Sequence, residues 1–430
     1  MGMIMIDKIL KVLKEQQISD YLLYDTQKET VELFFIKKNL DMRRAENVGS
    51  CSVTVYRDIE KDGVRCKGES VFVVEPAAAE AEIAAKCQKA YLAAGFVANP
   101  YYELPAGTKE ECVTVESNMT QMSLEQAAGT MVKALFLADD QEKAFLNSAE
   151  LFVEKNSCRI INSKGVDVSY VKYNVNGEFV VQCKEPQDVE THRHFSYDHL
   201  NTDGLTEMVK ETLKMTQDRA VAKIAPATGV YDVILSDEYA ATIFDFYKDR
   251  SDGSLIYQHY SDYKTGDFVQ GEPGEVTGNL LDLDYMPTVP YSIEGIPMKR
   301  LSCITDGVFQ NIQATVRFAY YLNVPATGQY RKISCVHGEE SFEEMKKRPG
   351  LYVVNFSDFQ MDFMSGHFGG EIRLAYLNDG EKVTPVTGGS VNGSIFEAQK
   401  DFAFSKETQD TSKFAGPKAV MLKNVNVAGC

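Results

Sequence analysis

No stretch of this sequence reaches the roughly 20 apolar residues that a membrane-spanning helix requires, and no long run of Lys or Arg occurs. The first absence argues against a membrane protein. The second argues against direct binding of nucleic acid or an anionic membrane, because a duplex binder needs cations to neutralise phosphates and release counterions. Bases are outnumbered overall: 45 Lys and Arg face 62 Asp and Glu, a net charge of −17. Such a surface favours solubility and disfavours acidic substrates. No CxxC pair occurs among the nine cysteines, which are scattered and odd in number. This pattern fits reduced thiols and a cytoplasmic location, not a disulfide framework. The start, MGMIMIDKILKVLKEQQ, carries acid early and lacks the apolar run and small-residue cleavage site of a secretory leader. There is no internal repeat and no low-complexity linker.

Common catalytic signatures are missing as well: HExxH, the phosphate-binding GxxxxGK loop, GxGxxG and GxSxG are all absent. The nearest approach to a nucleophile elbow, Gly389-Ser390-Val391-Asn392-Gly393, has the wrong spacing and no strand-to-helix context. It reads as a glycine turn.

At 430 residues the chain exceeds what one hydrophobic core serves. Ile6, Ile9, Leu10, Leu13 and Ile18 sit at helical spacing. Strand-like runs follow at 21–25, 31–38, 51–58 and 64–75, then an alanine-rich helix over 77–95 closed by Gly95. Ser123 and Gln126 form a capping box for a helix reaching about residue 138. Strands return over 150–184, where Asn176-Gly177 predicts a two-residue hairpin turn. A helix covers 203–224; after Pro226 comes a buried strand, YDVILS, and a helix over 238–250. The remainder is irregular and then rich in short strands and glycine turns. The fold class is α+β. Residues 1–225 form an N-terminal α/β domain with a mixed or antiparallel sheet, and residues 226–430 a β-rich C-terminal domain, barrel-like or sandwich-like.

Three of the six histidines, His192, His194 and His199, lie in THRHFSYDH. On a strand, His192 and His194 share a face. They offer two ligands to a metal, with His199 or Asp198 as a third. Against this, the stretch is polar throughout and Arg193 would repel a cation, so an exposed strand end is the preferred reading. His367 sits between glycines in SGHFGG, where Gly366 and Gly369 permit close approach of a ligand in a cleft. The plainer alternative is a tight turn between strands.

A series of local patterns, in order along nearly the whole chain, resembles the TldD/PmbA family, also known as modulators of DNA gyrase. They are Gly63-Val64-Arg65, Asn162-Ser163-Lys164-Gly165, Glu294-Gly295-Ile296-Pro297, Asp306-Gly307 and Thr327-Gly328. SFEEMKKRPGLYV at 341–353, SGHFGG at 365–370, Pro385-Val386 and Val391-Asn392-Gly393 follow. Val427-Ala428-Gly429 resembles the end of the PmbA (TldE) branch. The resemblance implies a dimeric assembly. It also implies a zinc motif, HExxxH, on a helix after a buried strand in the TldD branch, with a late cysteine as a further ligand. Aligned on VILSDEYAATIFDFYKDR, the motif positions hold Asp245, Phe246 and Arg250. No cysteine lies between Cys335 and Cys430, and FAFSKETQ (402–409) stands near the thiolate's place.

The implied function is therefore that of a TldE/PmbA-like subunit without catalytic residues or zinc of its own. Its partner would be a TldD-like metallopeptidase subunit that carries the zinc, and its substrate a peptide or unfolded protein, in a homodimer or heterodimer. Two other readings stay open. One is an independent metal hydrolase using His192, His194 and His199; the other is a homodimeric peptide-binding module. In the family frame THRHFSYDH lies away from the helix of the zinc motif, and TIFDFYKDR is the informative stretch.

Overall fold

The computed structural model describes residues 2–107 and 109–429. The sheet of the first half is built from six long strands. In chain order they are β1 (Asp20–Ile36), β2 (Asn39–Lys61), β3 (Val64–Val74), β4 (Ala144–Asn162), β5 (Asp167–Cys183) and β6 (Val189–Tyr197). They pair antiparallel in the order β3-β2-β1-β4-β5-β6, and the two-residue strands Asn99–Pro100 and Val113–Thr114 complete an eight-stranded sheet. The predicted runs at 21–25 and 31–38 are one strand. The polar residues between them pair on both sides, with β2 and with β4, so the ladder carries them.

Asn176-Gly177 is not a turn. Both residues lie inside β5, opposite Phe152 and Leu151, and the hairpin is made instead by Asn162–Val166. The glycine serves packing: a Cβ at Gly177 would stand 2.2 Å from the Glu150 carbonyl oxygen and 2.6 Å from the Phe195 ring.

Four helices, α1 (Gly2–Glu15), α2 (Glu80–Ala94), α3 (Leu124–Leu137) and α4 (Thr202–Val221), lie over this sheet. Strand alternation puts one set of residues under the helices, while the alternate set, including Ile160 and Tyr170, packs against Tyr291 of the second half. Ala149, Leu151 and Val153 of β4 join Met131 and Leu135 of α3 and Leu213 of α4 in one core. Leu23 and Val53 meet Ile9 of α1 and Ile83 of α2 in another. The predicted capping box is present: Ser123 Oγ accepts from the Gln126 N–H, and the Gln126 side chain accepts from the Ser123 N–H.

The second half holds two further sheets. One joins short strands between Leu283 and Pro417. The other closes on itself. Strands β7 (Gly229–Ser236), β8 (Gly350–Met361), β9 (His367–Asn378), β10 (Ser390–Ser394) and β11 (Ala419–Ala428) pair in the ring β7-β11-β10-β9-β8-β7. Only β7–β8 is parallel. This is the barrel-like element expected of the C-terminal region, filled by Val233, Leu235, Val353, Ile372, Val391 and Val427. Ser390–Ser394, expected as a glycine turn, is the barrel strand β10; the turn is confined to Gly388-Gly389 before it. Helix α5 (Glu238–Arg250) follows β7 after a single residue, Asp237, whose φ of 53° makes the sharp corner. No helix among the described residues is long and apolar enough to cross a membrane.

Eight cysteines are free; Cys430 lies outside the described residues. Burial pushes the Cys51 and Cys303 thiols up to about 12, so neither offers a thiolate near neutral pH.

Lys67, with its side chain only 1% exposed, is held by Asp58 Oδ1 at 2.6 Å and Asp20 Oδ2 at 3.1 Å. Burial alone would raise both carboxyls. Lys67 with Lys164 at Asp20, and Lys67 with Arg65 at Asp58, outweigh it and hold both below the ordinary carboxylate range. A lowered folded-state value means stability that is fully present above the ordinary carboxylate pKa and lost as pH falls from there through the lower folded-state value. Lys67→Met should therefore cost about 2–3 kcal/mol at neutral pH, the low side for a broken buried pair because Asp58 remains partly solvated. The variant should also lose less stability than the parent below about pH 4. Urea unfolding at pH 7 and pH 3.5 checks both; equal slopes of stability against pH would refute the assignment.

Candidate functional site

Helix α5 carries two neighbourhoods, one at each end. At its first turn, Glu238, Tyr239 and Thr242 line a cleft of about 470 Å³. The facing walls include His192 and His194 of β6 and residues 355–359 of β8. The tyrosine fixes one side: its hydroxyl accepts from the Phe356 N–H at 3.1 Å.

Strand alternation in β6 decides which side chains reach the cleft. Thr191, Arg193, Phe195 and Tyr197 are buried, whereas Glu190, His192 and His194 point to the open face. The sequence-based objection to a cation here was Arg193, and the structure removes it. The Arg193 guanidinium is turned to the opposite side, donating to Glu238 Oε1 at 3.1 Å and to the Val354 carbonyl at 3.3 Å, against Met215. The expectation that THRHFSYDH stands away from the motif helix is also corrected. His192 and His194 share their cleft with the first turn of α5.

The expected third ligand is corrected too. His199 Nδ1 pairs with Asp198 at 2.8 Å and belongs to no group with the other two. Glu178 of β5 takes that place. It lies directly opposite His194 in the ladder. One carboxylate oxygen, Oε2, sits 3.4 Å from His192 Nε2 and 3.3 Å from His194 Nδ1. A cross-strand partner cannot be read without the register, which is why Glu178 escaped the sequence.

The far end of α5 holds the three positions that the resemblance assigns to zinc. Asp245 is half-buried and paired with Lys248 at 2.7 Å. Phe246 is buried against Tyr247 and Phe396. Arg250 is buried among aromatic rings, its carbon Cζ 5.0 Å from the Tyr263 centroid and 5.7 Å from those of Phe246 and Phe396. It donates to the carbonyls of Phe363 and Met364 and pairs with Asp262. These residues do not fit a zinc ion: a guanidinium repels it and a phenyl ring offers no lone pair. The late segment supplies no thiolate either, since Phe402 and Phe404 are both packed in the core.

Phe363 and Met364 lie in the hairpin turn that precedes His367. The turn is closed by Asp362 and His367, whose backbones bond, and by Gly366 at φ +68°, where a Cβ would press on Phe396 at 2.5 Å. His367 opens β9 as an exposed residue, and Gly369 lies within β9 between β8 and β10. Arg250 thus ties the SGHFGG turn to the end of α5.

Residues 228–429 match the model of the PmbA/TldA metallopeptidase C-terminal domain. The second half of the chain thus carries a C-terminal domain of the TldD/PmbA family. It is 25% identical over 222 residues to a metalloprotease TldD homolog from Haemophilus influenzae, a match covering 41% of this chain and 46% of that protein. The aligned stretch is thus under half the length of that curated relative. In fold it is similar to TldE from Thermococcus kodakarensis, with a TM-score of 0.78 at 15% identity, covering 98% of this chain and 100% of that one. It is equally similar to a proposed modulator of a DNA gyrase from Thermotoga maritima, with a TM-score of 0.78 at 15% identity over 98% of this chain and 99% of that one. The TldD/PmbA fold therefore extends through both halves.

Within this metallopeptidase-like family fold, Arg250 serves as a brace. Arg250→Ala should cost about 2–4 kcal/mol, from lost charge-assisted hydrogen bonds and stem packing. Denaturant unfolding gives the size. A loss under about 0.5 kcal/mol, the range of ordinary surface substitutions, would show that the brace carries no load.

Proposed function

We propose that this chain is the non-catalytic, TldE/PmbA-like subunit of a TldD-type peptidase, assembling with a zinc-bearing TldD-like chain to process or degrade peptides. One observation carries the reading. The helix position where a peptidase of this family needs HExxxH holds Asp245, Phe246 and Arg250, and the last two are built into the protein interior. A glutamate there would take a proton from metal-bound water; Phe246 has no group that can.

The family's C-terminal domain at 228–429 and the fold shared with TldE support the reading. The open cleft at the first turn of α5 supports it as well, since it offers polar walls to an extended peptide. In this assembly α5 binds no zinc and the partner supplies the hydrolytic centre. The acidic surface fits a peptide substrate better than nucleic acid.

The test is reconstitution. The purified chain alone should leave an unfolded model peptide intact. Mixed with a TldD-like chain from the same cell, it should form a stable complex whose peptide hydrolysis is abolished by a chelator. Chelator-sensitive cleavage by this chain alone would overturn the proposal in favour of an independent hydrolase. A self-associated chain that captures peptide yet ignores every TldD-like partner would do so in favour of a binding module.

A further inference from the structure

We propose that Glu178, His192 and His194 form a binding site for a divalent transition-metal ion of the Zn²⁺ class at the wall of the α5 cleft. This site is separate from the family's motif positions on α5, and the proposal does not rest on the peptidase reading.

The argument is geometric. Two ligands about 2.05 Å from a tetrahedral ion lie about 3.3 Å from each other. The Glu178 Oε2 distances to His192 Nε2 and His194 Nδ1 are 3.4 and 3.3 Å, the edges of such a tetrahedron. Both exceed the usual length of a charge-assisted hydrogen bond. All three ligand atoms lie within 4.8 Å of one another. The imidazole rings stand edge to face, their centroids 4.2 Å apart, so neither blocks the other's nitrogen.

The backbone holds this arrangement without a metal. His192 and His194 are two apart on β6, and Glu178 faces His194 across an antiparallel ladder that continues on both sides. Cross-strand neighbours and i, i+2 residues on one face converge whenever the register is fixed. Two imidazoles and one carboxylate form a donor set that zinc accepts, leaving a fourth position for water. Arg193, the nearest cation in sequence, is buried beneath the strand and neutralised by Glu238 at 3.1 Å. The cleft lining is mixed in charge, with Glu190, Glu238 and Asp358 beside Arg219 and Arg373, so the anionic ligand at the ion is Glu178 itself.

The experiment titrates the full-length, chelator-stripped chain with Co²⁺ and then Zn²⁺. One Co²⁺ should bind per chain, with the visible absorption of a tetrahedral nitrogen–oxygen site and no thiolate charge-transfer band. Zn²⁺ should displace it. Glu178→Gln and His194→Ala should each weaken binding at least ~10-fold, as changes around a metal do, while His199→Ala leaves it unchanged. All three ligand side chains are substantially exposed, so these variants should keep the parent's thermal midpoint and circular dichroism. The proposal is overturned by no saturable binding at micromolar metal. It is overturned equally by a thiolate band, which would point to exposed Cys112, or by unchanged affinity in a His192→Ala/His194→Ala double variant. None of these outcomes bears on reconstitution with a TldD-like chain.

Discussion

The buried guanidinium of Arg193 is the joint on which the two halves of this molecule meet. It leaves the edge strand of the first sheet and reaches Glu238 at the start of α5, the backbone of Val354 in the barrel and the thioether of Met215 on α4. Removing a charge from water is costly, and Glu238 and Asp237 answer that cost from the α5 corner. Once Arg193 points inward, strand alternation leaves its neighbours no choice. His192 and His194 must face out, beside Glu178, on the wall of the cleft. One inward arginine therefore sets the identity of the cleft wall and joins the apolar contacts, such as Met215 and Ala222 with Val354 and Leu374, that dock the barrel. Smaller ties reinforce the joint: Lys418 binds Glu211 of α4 at 2.6 Å, and Tyr376 donates to Asp218 at 2.5 Å.

Helix α5 divides its labour along its length. Its polar stripe, exposed Glu238 and half-buried Thr242 and Asp245, runs from the cleft toward the motif positions, whereas Tyr239, Ile243, Phe246 and Arg250 face the interior. A metal-binding helix needs its ligands turned toward a space that admits water and substrate. Here the residues at two of the three motif positions turn into packed aromatic side chains. The scaffold is kept at this helix, and the positions are filled by a brace between α5 and the turn before β9.

Much of this was legible in the residues. Helix α5 was bounded correctly because a buried strand, a sharp corner and a 3.6-residue pattern are all local signals. The capping box of α3 was readable for the same reason, and the ordered family patterns pointed to the fold. What failed depended on pairing. Asn176-Gly177 has ideal turn chemistry, yet the ladder and the Phe195 ring claim it for a strand interior. Glu178 and the His192–His194 pair are 14 residues apart at the nearer histidine, and only the register of β5 on β6 unites them. The joint with α5 was likewise invisible, since Arg193 read as a polar surface residue until its burial was known.

The ring of the barrel has a temporal consequence. Strand β11, residues 419–428, lies between β7 and β10, and the first of these is made almost two hundred residues earlier. Until β11 leaves the ribosome, β7 has only its parallel pairing with β8, and Val233 and Leu235 face a core with a missing wall. The first sheet, whose strands join mostly through short hairpins, can form as it is synthesised. The barrel cannot. Its closure waits for the last strand, and the nascent chain must meanwhile shelter an apolar edge that is open to the wrong partner.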